Sequence, residues 1–139
     1  MENDLGKKPY VVDIEKLTTE NTNFRTAEWT GTYLQLTTMS IEVGGEVGFE
    51  VHEDTDQFLR IESGRAKVRM GKTKDNLDYE RDAKDDDAIF VPTGYWHNIL
   101  NTGDEPLKLY SIYAPPHHPA GTVHETYEIA MEAEEDEDH

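Results

Sequence analysis

Glu50 and His52 stand two apart in "GFEVHED", and on an extended strand that spacing sends both side chains out of the same face. Gln57 follows in "DQFLRIE", and His97 closes the run "PTGYWH". Two imidazoles and a carboxylate, with an amide oxygen as a fourth donor, suit a divalent first-row metal: Mn, Fe, Co, Ni or Zn. The same atoms could serve Lewis-acid chemistry or the oxygen chemistry of non-haem iron, and spacing leaves both open. Taken alone, a Glu-x-His pair on an exposed strand face of so acidic a chain is usually a solvated pair and not a ligand pair.

Composition narrows the rest. The 139 residues fit one domain and contain no cysteine, so a thiolate metal site, a disulfide scaffold and a Cys nucleophile are excluded. With 30 acidic against 13 basic residues the net charge is −17, which repels phosphate backbones and anionic lipid, so neither nucleic acid nor membrane is an expected partner. The start "MENDLGKKPYVVDIEKL" lacks an apolar run of leader length, and a cytoplasmic location is expected.

The elements that must position these residues read as short strands. "TYLQLTTMSIEV" alternates apolar and polar residues until Gly44 and Gly45 break it. A hairpin follows, with one strand over about 57–62, a turn at Ser63 and Gly64, and a return through Ala66, Val68 and Met70. "AIFVPTGYWHNILNTGDEPLKLYSIYAPP" supplies further strands joined by turn residues. Residues 1–30 read as an N-terminal arm and loop, 31–116 as a barrel, 117–130 as a Pro/Gly loop with a short C-terminal segment, and 131–139 as a disordered acidic tail. The charged run "KTKDNLDYERDAKDDD" reads as a loop. Many short strands with close turn signals predict an all-β sandwich or barrel.

The stretch from Gly44 to Asn101 resembles the paired motifs of the cupin superfamily. Gly44, Glu50, His52, Gln57 and Gly64 take the places of the first motif (Gly, His, His, Glu, Gly) at matching intervals. Asp86, Pro92, Gly94, His97 and Asn101 match the second, with Asp86 where its first glycine would be. The departures, Glu50 for the first His and Gln57 for the Glu, resemble small single-domain cupins described as mannose-6-phosphate isomerase-like. The resemblance implies a double-stranded β-helix (jelly-roll barrel) with a short C-terminal helix or tail. It also implies Glu50, His52, Gln57 and His97 converging on a divalent metal, and a homodimer.

Glu50 and Tyr95 are the candidate catalytic residues, and Tyr33, Gln35 and Trp96 the candidate substrate-binding ones. His117, His118 and His124 lie in a Pro/Gly loop and read as surface or interface residues. Arg60 reads as a surface partner of an acidic residue, while Arg25, Arg60, Arg65, Lys67 and Arg69 are the cations near enough in sequence to receive a phosphate. The expected function is metal-dependent chemistry on a small sugar or sugar acid, isomerase-like. An iron dioxygenase and a non-enzymatic ligand-binding barrel are the rivals.

Overall fold

The computed structural model describes residues 4–137. Helix α1 (Ile14–Glu20) is capped by Asp13, whose carboxylate accepts from the Lys16 amide. The strands are β1 (Arg25–Thr30), β2 (Gln35–Ile41), β3 (Asp56–Ser63), β4 (Arg65–Gly71), β5 (Tyr79–Lys84), β6 (Ala88–Val91), β7 (Trp96–Asn101), β8 (Leu107–Ala114) and β9 (Val123–His124), followed by helix α2 (Tyr127–Glu137). They form a six-stranded sheet, β6-β3-β8-β2-β1-β9, facing a three-stranded sheet, β5-β4-β7. This is the expected all-β jelly roll with a short C-terminal helix.

The inner faces carry the core. Met39, Leu109 and Ile61 stand in one row across β2, β8 and β3, and Val68 stands opposite Ile99 between β4 and β7. All are buried in one hydrophobic cluster. Alternation along each strand therefore settles which polar residues also point inward: Gln35, Tyr113 and Gln57 share one row, and Thr37, Ser111 and Leu59 share the next.

Gly64 turns the β3–β4 hairpin at φ +109°, and a Cβ there would stand 3.2 Å from the Leu107 backbone. Gly64→Ala is expected to lower stability by about 1–3 kcal/mol in a urea melt, since it adds both strain and a backbone contact. Asp86, in the place of a motif glycine, also adopts positive φ, at 77°. Aspartate tolerates that conformation better than most residues.

Four expectations change. The supposed N-terminal arm contains α1, and the supposed loop before residue 31 contains β1, so the sheet extends beyond 31–116 at both ends. The charged run contains β5, an edge strand whose side chains are nearly all exposed. The acidic segment from Met131, expected to be disordered, continues the α2 helix to Glu137, with Ala130 fully buried and Met131 packed on the core. Residues 138–139 of that segment lie outside the described ones.

Candidate metal centre

The site is built by a detour of the chain before β3. Residues Glu46 and Glu50 bridge onto β7 at Leu100 and His97. Glu50 and His97 exchange backbone hydrogen bonds of 3.1 and 2.9 Å, which places their side chains together on one face. His52, two residues on, takes a 2.7 Å hydrogen bond from the Gly94 amide to its carbonyl, and Gly94 reaches that position at φ +84°. The "PTG" turn thus fixes His52 against the strand that carries His97.

The ligand atoms of Glu50, His52 and His97 all lie within 4.8 Å of one another. Glu50 Oε1 stands 3.6 Å from His52 Nε2 and 3.8 Å from His97 Nε2. The His97 Nδ1–H donates to the Tyr95 carbonyl at 3.2 Å, which leaves the Nε2 lone pair for the site. Gln57 is buried on the inner face of β3, where its Nε2 donates to Ser111 Oγ at 2.8 Å.

Glu50 Oε1, both nitrogens of His52, His97 Nε2 and Gln57 Oε1 are buried without a hydrogen-bond partner among the described residues. Orphaned polar atoms in an interior are costly, and a cation among the clustered side chains would satisfy the Glu50 oxygen, one His52 nitrogen and His97 Nε2. A carboxylate, two imidazoles and an amide oxygen match a divalent first-row metal. Burial raises the Glu50 carboxyl, but the adjacent His52 and the buried Arg25 guanidinium outweigh it and hold it down at about 2. Burial lowers His97. Both groups therefore stand in their ligand forms at neutral pH.

The remaining predicted residues divide. Tyr33 is 80% exposed, outside the barrel. Gln35 is fully buried, but its amide is spent: Oε1 accepts from the His117 and His118 amides, and Nε2 donates to Thr30 and the His118 carbonyl. It positions the 117–118 loop rather than a substrate. Trp96 lies on the face of β7 opposite His97, against Phe49 at 5.1 Å and under Lys74. The Tyr95 ring packs on the core and lines a cleft of ≈ 730 Å³ with Met70 and Ile89, while its carbonyl orients His97. None of the three clustered ligands lines that cleft.

Two groups at the site were not read from the sequence. Tyr113, on the inner face of β8, meets His52 at 5.8 Å between ring centroids, and burial pushes its phenol up to about 12. His117 is 4.2 Å from His52 on the same measure and faces solvent. His118 and His124 are buried, not superficial, with His118 against Tyr113 and His124 against Arg25. The signal for Tyr113 was present in "LKLYSIY", where Leu107, Leu109, Ser111 and Tyr113 share one face. Arg60 pairs outside the barrel with Asp86 and Glu62, as expected.

The chain is 58% identical to YrkC of Bacillus subtilis over 132 residues, 95% of this chain and 71% of that protein. The crystal structure of BH2720 from Bacillus halodurans superposes with a TM-score of 0.93 at 57% identity, covering 94% of this chain and 98% of that one. A cupin-superfamily sugar phosphate isomerase from Silicibacter pomeroyi shares the fold alone, at 16% identity and TM-score 0.52, over 60% of this chain and 52% of that one. The cupin domain model matches residues 37–113, more than half of the sequence, from within β2 to the inner-face Tyr113, and the chain belongs to the cupin family.

Proposed function

We propose that this cupin binds one divalent metal through Glu50, His52 and His97, with Gln57 Oε1 as a fourth donor, and acts on a small polar molecule such as a sugar or sugar acid. The observation that carries the reading is the set of buried acceptor atoms left without partners on these four side chains. A metal held there would polarise adjacent substrate oxygens and ease removal of a nearby proton.

The protein side chains then take separate roles. Glu50, held at about 2, is too weak a base for proton transfer near neutral pH and serves as the anionic ligand. His117 stands at the solvent side of His52, and the partial desolvation of its ring lowers its pKa, so its neutral imidazole is available to accept a proton. Tyr113, at about 12, keeps its proton and is no general base near neutral pH. The same fold carries a sugar phosphate isomerase in Silicibacter pomeroyi, so an isomerase-like reaction is compatible with it.

Gln57→Leu is expected to weaken metal binding by about tenfold while leaving the metal bound at higher concentration, because a neutral amide is the weakest donor of the four. Equilibrium titration with Co(II) or Mn(II) measures this.

The test of the reaction is exchange of carbon-bound hydrogen with D2O, followed by NMR over a panel of ketoses and sugar acids. Metal-dependent exchange, indifferent to O2, is the expected result. The second reading, an iron oxygenase, is favoured by the arrangement of two histidines and one carboxylate. O2 uptake that requires Fe(II), without exchange, would replace the isomerase reading with it.

A further inference from the structure

Arg25 opens β1 opposite Met39, an inner-face residue of the core, and its side chain is fully buried. A charged side chain at such a position is expensive unless its donors are met. Nη1 is engaged, 3.0 Å from Glu134 Oε1 on α2 and 3.3 Å from His124 Nδ1. Nε and Nη2 have no hydrogen-bond partner among the described residues.

Those two nitrogens are not a random pair. Nε–H and the nearer N–H of Nη2 point the same way along one edge of the guanidinium, the edge that accepts the two oxygens of a carboxylate side-on. Glu134 and His124 hold the far corner of the plane and so orient the free edge. Thr37, opposite Ala27 on the same inner face and fully buried, also carries an unpartnered hydroxyl. Arg25 touches His124, and the rings of His124, His118, Tyr113 and His52 follow one another at centroid separations of 6.4, 5.2 and 5.8 Å, so the guanidinium and the metal centre share one interior.

We infer that the Nε/Nη2 edge of Arg25 is a carboxylate-binding subsite inside the barrel, and that the molecule taken up is a small hydroxy- or oxo-carboxylate. Its carboxylate pairs with Arg25 and its remaining oxygens reach toward the metal. One guanidinium already shared with Glu134 matches a single carboxylate charge better than a phosphate dianion. Lys67, exposed, pairs with Glu80, and Arg60 is committed outside the barrel, so neither assists it. Glu134 is a positioning residue in this arrangement. Arg25 is fully covered, so uptake requires its cover to open. The role in a substrate rests on the metal-centre reading above, whereas the subsite itself does not.

The experiment follows the Arg25 Nε–H signal by 1H–15N NMR, identified by its loss in Arg25→Lys, while glycolate is added to the full-length protein with and without a chelator. A saturable downfield shift with glycolate, absent with ethylene glycol, chloride or phosphate at matched ionic strength, is expected in both metal states. Arg25→Lys keeps the charge but loses the fork, and its glycolate affinity by calorimetry should fall about tenfold or more. A signal that does not move, or moves equally with chloride, overturns the subsite. Equal shifts with phosphate overturn the carboxylate assignment. Should Arg25→Lys fail to fold, the titration of the parent protein, with the buried signal assigned through sequential experiments, decides alone. Metal content measured on the same samples reports separately on the metal centre.

Discussion

Glu50→Gln is expected to weaken metal binding by about 100- to 1,000-fold, the largest single loss at the site. The substitution keeps size and backbone pairing with His97 but removes the only formal negative charge among the four proposed ligands. That charge is strongly favoured in place, since His52 and the buried Arg25 hold the carboxyl well below its ordinary range against the cost of burial. A metal must compete there only weakly with protons, and ligand loss of this kind costs several kcal/mol, about 1.4 kcal/mol per factor of ten. Competition titration against a chromogenic chelator measures the change. An unaltered constant in Glu50→Gln would place the metal elsewhere. The variant also leaves the Arg25 charge without one of its balancing anions, so its melting temperature is measured alongside.

The second large effect is on stability in acid. His118 is buried against Tyr113, and burial holds its pKa far below the ordinary value, so the folded metal-free protein keeps it neutral. The unfolded chain protonates it near pH 6.5. A folded-state pKa below the unfolded one means that stability is intact above pH 6.5 and is lost as the pH falls beneath it, by about 1.4 kcal/mol per pH unit for each such group. His97, lowered by burial, adds to the loss until its own folded pKa is reached. Glu50 continues it below about pH 4.5, down to its folded value of about 2. Glu28, raised by burial, works in the opposite direction but only in the carboxylate range. Urea midpoints of the metal-free protein should therefore fall steadily from pH 7 to pH 5. A flat profile would mean that His118 accepts a proton in the folded state.

The parts of this protein that were legible in the sequence are those whose signals are local. Glu50 and His52 are two apart, so the strand period alone puts them on one face, and the Gly94 turn and His97 follow at fixed distance. The β3–β4 hairpin announces itself by alternation and Gly64. What was not legible depends on partners far along the chain. β1 buries Arg25, Thr26 and Ala27 in succession, which hides any alternation, and its first residue is a cation whose partner is more than a hundred positions away. β5 exposes nearly all its side chains, so only backbone pairing with β4 makes it a strand. His118 is interior because Gln35 hydrogen-bonds its backbone, a contact across most of the chain. Gln35 and Trp96 illustrate the remaining gap: the first is on the expected inner face but already saturated, and the second is one residue from a ligand and on the other side of the strand.

Elemental analysis of protein purified without a polyhistidine tag, beside His52→Ala and His97→Ala, tests the metal centre most directly. Near-stoichiometric metal in the parent protein, lost in both variants while they remain folded, is the predicted result. A folded parent without metal, or variants that retain it unchanged, would contradict the assignment of Glu50, His52 and His97 as its ligands.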